Sequence, residues 1–207
     1  MFWIVLAAQV SAATVAGNQG GGLITLFSAN DSPAYLQIDG VSRIVHTRTV
    51  VRPDGTIQGC SVDPSSGDTW LDAFTCKLIV RRAKFVPAKW SDGTPVYGVV
   101  RVPVTWAVGS PPERKYIKGG LNVTLKQLPM RLESPYFQGL VFGVDEGAKV
   151  VSCGAGTEWH PGMDKINLAL VSIACDQLTK SFAALPVKDD SGRLVRSVQN
   201  ASVRFER

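Results

Sequence analysis

The stretch that decides the fold is GCSVDPSSGDTWLDAFTCKLIVRRAKFVPAKW, which runs from Gly59 to Trp90. It joins the end of a predicted strand, a polar turn, an amphipathic helix and a Pro-Ala pair. Two of its residues are cysteines, Cys60 and Cys76, and they flank the start of the helix. A looser version of the same order returns around Cys153. The stretch therefore predicts a sheet covered by a helix, with a second copy further along the chain.

The helix within this stretch is predicted by its apolar spacing. Apolar side chains recur three and four residues apart, which is typical of a helix with one buried face. Ser65 and Asp68 have the spacing of a capping box, so each is predicted to satisfy free N–H groups of the first turn. Pro87 is predicted to end the element. The predicted buried face consists of Trp70, Leu71, Phe74, Leu78 and Ile79.

Strands are predicted on both sides of this helix. Residues 44–52 alternate between the two faces and are rich in β-branched side chains, which favours a strand. The RPDG turn (52–55) follows, because Pro presets φ and Gly accepts positive φ, and residues 56–62 return as the second strand of a hairpin. Beyond the helix, alternation from 96 to 108 predicts a long last strand.

The chain contains an internal repeat. When Cys76 is placed on Cys175, seven of the 31 positions up to Trp106 are identical, without a gap. The identities include Pro87 with Pro186 and Gly93 with Gly192, where a helix region ends and a turn is needed. Upstream, PDGTIQGC (53–60) is similar to DEGAKVVSC (145–153), with one extra residue.

The repeat divides the chain into module one, residues 24–109, and module two, residues 116–207. The segment 110–115 is the predicted joint, because Pro111 and Pro112 cannot continue a strand or a helix. The predicted fold is α+β, with two tandem ββαβ modules, each a small antiparallel sheet covered by one helix. In module two the strands are predicted at 136–144, 148–154 and 194–205, with an extra strand at 122–128. Its helix stripe consists of Ile166, Leu170, Ile173, Ala174 and Leu178.

The N-terminal segment MFWIVLAAQVSAATVAG is apolar from Phe2 to Ala8 and then rich in small residues. The apolar run is much shorter than the roughly 20 residues that span a bilayer. It predicts a secretory signal peptide at 1–16, followed by a flexible lead-in at 17–23. A buried first strand is the alternative, since no Lys or Arg precedes the run. Export predicts an oxidising compartment, which suits the four cysteines, and association with a membrane stays open.

The charge distribution argues against one class of partner. The net charge is +5, with +2 from residues 1–109 (9 basic, 7 acidic) and +3 from residues 110–207 (13 basic, 10 acidic). No dense run of Lys or Arg occurs, so the sequence predicts no binding to nucleic acid.

Module one resembles the C-terminal domain of TonB-family energy transducers, in a cysteine-bearing variant. The resemblance rests on NDSPAYL (30–36), on VRPDGTIQGCSVDPSSGDTWLDAFTC (51–76), and on the later RRAKFVPA and VRVPVTW, and it covers about 80 residues. Module two resembles the family weakly. The resemblance implies a periplasmic domain that recognises outer-membrane receptors, without a small-molecule cofactor. The transducers' N-terminal membrane helix and Pro-rich spacer are not found in this sequence, so we expect binding without energy transduction.

The resemblance also implies a binding site. In the family, an extended receptor segment pairs with the exposed edge of the last strand, where main-chain hydrogen bonds give affinity and side-chain pockets give selectivity. Carried over, this edge is residues 97–106. Pro103 fits an edge strand because it lacks an N–H, but it equally blunts an edge against aggregation. The candidate binding residues are Tyr97, Val99, Arg101, Pro103 and Thr105.

The four cysteines give the strongest chemical signal. A disulfide within each module, Cys60 with Cys76 and Cys153 with Cys175, would tie the second strand to the helix. Buried free thiols are an alternative. A zinc site is disfavoured, because no C-x-x-C or neighbouring His spacing is present.

No catalytic constellation is found in the sequence. His46 lies on a strand, and His160 lies in a loop near Glu158 and Asp164, where an acid–base role competes with a solvated loop. Three function classes follow. The first is a protein that binds an extended receptor segment, and the second is a periplasmic scaffold whose modules, or two copies in a homodimer, pair their last strands. The third is an unrecognised enzyme.

Overall fold

The structure is a computed structural model that describes residues 14–15, 26–107, 120–129, 132–156 and 168–207. Most of the predicted signal peptide, the whole lead-in at 17–23 and the joint at 110–115 lie outside the described residues, as do Glu158, His160, Asp164 and Ile166. Within the described ranges, no helix has both the length and the apolar character needed to cross a bilayer.

Module one has the predicted order of elements. Strand β1 (Thr14–Val15) precedes it, a 3-10 turn covers Ala29–Asp31, and helix α1 covers Ala34–Asp39. The hairpin follows as β2 (Arg43–Val51) and β3 (Ile57–Val62), with Gly55 in the turn at a φ of 85°. Helix α2 (Thr69–Arg82) and two short strands, β4 (Phe85–Val86) and β5 (Ala88–Lys89), lead to β6 (Pro95–Trp106).

Helix α2 begins with one half of the predicted cap. Asp68 is the N-cap residue, and its carboxylate accepts from the Leu71 N–H at 2.9 Å. Ser65 does not cap the helix, because its hydroxyl donates to Asp72 at 2.6 Å. The helix ends at Arg82, before Pro87. Trp70 is 55% exposed and stacks on Phe74, so it widens the aromatic surface and not the buried face.

Module two has the same order of elements. An additional strand, β7 (Leu121–Thr124), comes first, and β8 (Tyr136–Val144) and β9 (Val150–Ala155) form the hairpin. Helix α3 is described over Leu168–Ser181. Strands β10 (Val187–Lys188) and β11 (Leu194–Val195) then lead to β12 (Ser197–Glu206). In α3 the predicted stripe is correct at Leu170, Ala174 and Leu178, but Ile173 faces solvent.

The α+β fold is confirmed, but the two sheets are joined. The strand order is β3-β2-β6-β12-β8-β9, so the last strands of the two modules lie side by side at the centre. All neighbours along this path are antiparallel except β6 and β12, which run parallel. Strand β5 pairs with β6, and β7 pairs with β12. The result is one sheet of eight strands.

Helices α2 and α3 cover opposite faces of this sheet. Leu71 and Leu78 of α2 pack with Val104 and Trp106, whereas α3 packs on Val203 and Phe205. The register places Val198 opposite Gly98, which shares a face with Val104. Because side chains alternate along a strand, Val203 and Phe205 point the other way. Each helix therefore covers mainly its own module, and the parallel junction lies between them.

Both within-module disulfides are confirmed. Cys60 of β3 is bonded to Cys76 of α2, and Cys153 of β9 is bonded to Cys175 of α3. Each bond joins an outermost strand of the sheet to the helix that covers it. No cysteine of the chain is left free.

Candidate binding edge of strand β6

The candidate site is the edge of β6 that faces away from β2. Strands β2 and β6 pair from Arg43–Trp106 to Val51–Gly98, so one edge of β6 is fully used. The N–H of Arg101 points to the other edge, where it meets Asn200. Because main-chain groups alternate between the two edges, all five candidate residues present their N–H and C=O groups on this second edge.

The first two candidate residues already have a strand partner. Tyr97 lies opposite Ser197 and Val99 lies opposite Gln199 in the parallel ladder between β6 and β12. Val99 is buried, at 1% exposure. Burial, followed by the negative charge of Asp190, raises the pKa of Tyr97. Over this segment the predicted edge is internal to the sheet.

Arg101 is held by a side chain in place of a strand. Asn200 accepts from the Arg101 N–H through Oδ1 at 2.7 Å and donates from Nδ2 to the Arg101 carbonyl at 3.0 Å. The amide of one side chain thus occupies both main-chain groups that a pairing strand would use. The ladder ends here, and β12 continues beside β7 from Val203 onward.

The last two candidate residues lie beyond the junction. Pro103 has no N–H to offer. Thr105 supplies one N–H and one carbonyl on this edge, and no described strand pairs with it there. The remaining edge therefore offers one N–H and two carbonyl groups, which is a small number of main-chain groups for strand addition.

The Arg101 side chain reaches across the junction to module two. Its guanidinium donates to the Asn200 carbonyl at 3.1 Å and to Oε1 of Gln199 at 3.2 Å. It also lies 5.6 Å from the ring centre of Phe182, just after α3. Among the described residues, no carboxylate lies within ion-pair distance of it. Burial, and then the charge of Arg48, lowers the pKa of Arg101 to about 10.

Arg48 is the cross-strand neighbour of Arg101. The two residues lie opposite each other in the β2–β6 register and share the face that α2 does not cover. Arg48 forms an ion pair with Asp63 at 3.1 Å and donates from Nε to the Ser61 hydroxyl. Of the two guanidinium groups on this face, Asp63 therefore pairs with that of Arg48 only. Like charges directly opposite each other disfavour the pairing.

Polar contacts extend the junction to the β2–β3 turn. Arg52 forms an ion pair with Asp190 at 2.9 Å, and Gln58 donates to the Lys188 carbonyl. The hydrogen bond from Arg52 lowers the pKa of Asp190. The Asp190 side chain is largely exposed, so this ion pair contributes little to stability.

Apolar contacts hold the junction more firmly. Val141 and Val198 of module two pack with Phe85, Ala88 and Val100 of module one. Burying each of these two valines stabilises the junction by roughly 1.5–3 kcal/mol. These contacts make separation of the modules costly.

Trp90 adds a further contact from module one. The guanidinium of Arg196 lies 5.3 Å from its ring centre. The same ring closes over Gly143 so tightly that a Cβ there would lie 3.0 Å from it. Trp90 thereby joins the start of β12 and the β8 strand to module one.

Sequence reasoning missed the residues that occupy the edge. Asn200, Gln199 and Trp90 carry the junction, and none of them was singled out. The one available signal is the polar pair Gln199–Asn200 inside an otherwise β-rich last strand. Within the described ranges, His, Cys, Asp and Glu side chains form no group of three suited to a metal ion.

Comparison with known proteins identifies module one. The family model described as Gram-negative bacterial TonB protein C-terminal matches residues 34–108. Residues 34–108 are a TonB C-terminal domain. The TonB C-terminal domain runs from α1 to the end of β6, so its last strand is the one paired with β12. The family is one of non-catalytic protein-interaction domains of the Gram-negative envelope. No curated protein and no solved structure matches the chain significantly.

Proposed function

We propose that this protein is a periplasmic binding protein whose TonB C-terminal domain takes up an extended segment of an outer-membrane receptor by strand addition to β6. The observation that supports the proposal is that β6, the last strand of this domain, has a second ladder from Tyr97 to Val99 only. Its first ladder spans the strand from Gly98 to Trp106. A signal peptide at 1–16 would deliver the protein to the periplasm.

In this proposal the junction is a resting state that a receptor segment replaces. The segment must compete with the short β12 ladder, with Asn200 and with the apolar contacts of Val141 and Val198. When only a fraction of molecules is open, the apparent affinity falls by that fraction. We therefore expect weak binding in the wild type and tighter binding when the junction is loosened.

A second candidate function is a periplasmic scaffold in which the pairing is permanent. The shared apolar cluster of the two modules favours it. Here module two is a diverged copy of module one that serves as a built-in partner. The equivalent placement of both disulfides, each from the second strand of a hairpin to the helix that follows, supports the tandem repeat on which this candidate rests. A homodimer through the last strands would have to displace the same contacts.

Backbone NMR with receptor-derived peptides separates the two functions. A panel of blocked peptides from the N-terminal segments of outer-membrane receptors is added to the wild type and to Asn200→Ala. Binding predicts shifts of the amides from Val99 to Trp106, stronger in the variant. A Tyr97→Cys/Ser197→Cys crosslink, placed at opposed positions of the ladder, should abolish them. No shifts in any of the three proteins would overturn the binding proposal and leave the scaffold.

A further inference from the structure

We propose that the outer face of α2, together with α1, is a docking surface for a bilayer that carries anionic phospholipids. This outer surface is defined by five exposed side chains, those of Tyr35, Ile38, Trp70, Lys77 and Arg81. It lies on the side of α2 that faces away from the sheet. The inference does not depend on the proposed strand addition to β6.

The outer surface follows from the helical period of α2. Trp70, Lys77 and Arg81 are separated by seven and four residues, and these spacings bring side chains onto one face of a helix. All three are exposed, whereas Leu71 and Leu78 on the inner face are buried in module one. The exposed row is about 16 Å long, at a rise of about 1.5 Å per residue. A flat surface can therefore contact the whole row.

The N-terminal half of the outer surface is aromatic and apolar. Trp70 is 55% exposed, although one face of its ring stacks on Phe74 with the ring centres 4.8 Å apart. Tyr35 meets the Trp70 ring edge-on at 6.0 Å, and Ile38, one turn further along α1, is 83% exposed. Trp and Tyr are enriched where the hydrocarbon of a bilayer meets water, because their rings have an apolar body and a polar tip. These contacts hold the Trp70 ring in place while leaving it open to such a surface.

The C-terminal half of the outer surface is positively charged. Lys77 and Arg81 are exposed, and Lys84, just beyond the helix end, extends the charge. The ion pairs formed by the described residues include none of these three side chains. The one acidic residue of α2, Asp72, is buried and accepts from the Ser65 hydroxyl. The cations are therefore available to headgroup phosphates, and each should strengthen binding to an anionic bilayer about 5-fold.

The combination of the two halves favours a bilayer over a soluble anion. A bilayer surface presents phosphate groups and, directly beneath them, an apolar layer, so cations and exposed rings on one face find their partners together. A soluble anion would leave Trp70 and Ile38 in contact with water. Helix α3 does not combine these features, because its two charged residues, Asp176 and Lys180, have opposite signs.

Vesicle co-sedimentation with the full chain tests the outer surface. The vesicles consist of equal parts of phosphatidylcholine and phosphatidylglycerol, and vesicles of phosphatidylcholine alone serve as the uncharged comparison. We expect the wild type to bind the anionic vesicles at low salt. It should be released in about 1 M NaCl, where charges are screened beyond about 3 Å. No binding of the wild type to anionic vesicles at low salt would overturn the proposal.

Matched variants assign the binding to α2. Lys77→Gln/Arg81→Gln should weaken binding to the anionic vesicles about 25-fold, from about 5-fold for each charge removed. Lys180→Gln/Lys188→Gln removes the same charge from exposed positions of module two and should bind as the wild type does. All of these proteins carry the same residues 1–16, so any contribution of that segment cancels. Equal losses in the two double variants would show that net charge alone drives binding, which overturns the surface.

The fluorescence of Trp70 gives a readout that does not depend on charge. Brominated phosphatidylcholine in the anionic vesicles quenches an indole that enters the bilayer. Quenching should be smaller in Trp70→Phe than in the wild type, because Trp90 and Trp106 are packed within the fold. Equal quenching in the two proteins would overturn the proposed orientation on the bilayer. Soluble polyglutamate shows whether an acidic protein is the partner instead: binding that requires Lys77 and Arg81, in a protein that leaves the vesicles in solution, would replace the bilayer with such a partner.

Discussion

Asn200 holds Arg101 by both of its main-chain groups, at 2.7 Å and 3.0 Å. The contact lies where the β6–β12 ladder stops. There the amide side chain of Asn200 makes the two main-chain hydrogen bonds that the next residue of a paired strand would make. It also places the guanidinium of Arg101 against the carbonyl of the residue that holds it. This reciprocal pair lies at the end of the ladder that joins the two modules.

Replacing Asn200 should loosen the junction specifically. In Asn200→Ala, the N–H and carbonyl of Arg101 lose partners in a half-buried site, which costs about 1–3 kcal/mol of unfolding free energy. Hydrogen exchange at Arg101 and Val99 should accelerate, while exchange within β2 stays slow. Asn122→Ala, in the exposed part of β7, is the control and should change neither quantity. Unchanged exchange at Arg101 in Asn200→Ala would contradict the role given to this side chain.

Gly143→Ala should destabilise the fold at the Trp90 contact. A Cβ at Gly143 would lie 2.5 Å from the Ser152 hydroxyl and 3.0 Å from the Trp90 ring. Overpacking of this kind costs about 1–3 kcal/mol. Urea denaturation measures the loss, and Gly154→Ala in β9, where a Cβ meets nothing within 4 Å, should be nearly neutral. Combining Gly143→Ala with Ser152→Ala should recover part of the loss, and a double variant no better than the single one would count against the clash.

Removing either disulfide should cost a similar amount of stability. The cysteines are separated by 16 residues in module one and by 22 in module two. In the chain-entropy model, a disulfide that closes a loop of this size stabilises the fold by about 3 kcal/mol, and the longer loop gives the slightly larger value. Chemical denaturation of Cys60→Ser/Cys76→Ser and of Cys153→Ser/Cys175→Ser tests this expectation. Thiol labelling of the unfolded wild type should detect no free cysteine, and four reactive thiols would refute both bonds.

The Asp31–Arg82 ion pair should make stability depend on acid pH. The hydrogen bond from Arg82, supported by Ser28, lowers the pKa of Asp31 from its ordinary value of 3.8. A carboxyl group whose pKa is lowered in the folded state stabilises the fold at pH values above its pKa in the unfolded state. That contribution is lost as the pH falls through its pKa in the folded state. Thermal unfolding measured between about pH 6 and pH 2 should therefore show that the wild type loses stability more steeply with falling pH than Asp31→Asn does. Parallel curves for the two proteins would show that the pair contributes nothing.

Much of each module could be predicted from the sequence, because local signals determine it. The RPDG turn, the alternation of the strands and the spacing of Leu71, Leu78 and Ile79 are all readable along the chain. The N-cap was half predicted, since Asp68 caps the helix but Ser65 turns to Asp72. Two polar residues with cap chemistry compete there, and only tertiary contacts decide between them.

The junction could not be predicted in the same way. Its ladder joins Tyr97 to Ser197, and no local pattern specifies a partner at that distance in sequence. An alternating strand has the same sequence whether its second edge is free or paired, because pairing uses main-chain groups that every residue carries. Asn200 matches Arg101 only once the two strands are side by side.

The placement of the disulfides has a mechanical consequence. Both crosslinks lie at the rims of the sheet, on β3 and on β9, whereas hydrogen bonds and apolar contacts alone join β6 to β12. Covalent bonds therefore secure the two outer strands of the sheet, whereas non-covalent contacts secure its middle. Under mechanical load or heat, the junction between β6 and β12 should separate before either module unfolds. Reducing agents should weaken the attachment of β3 and β9 to their helices without separating the two modules.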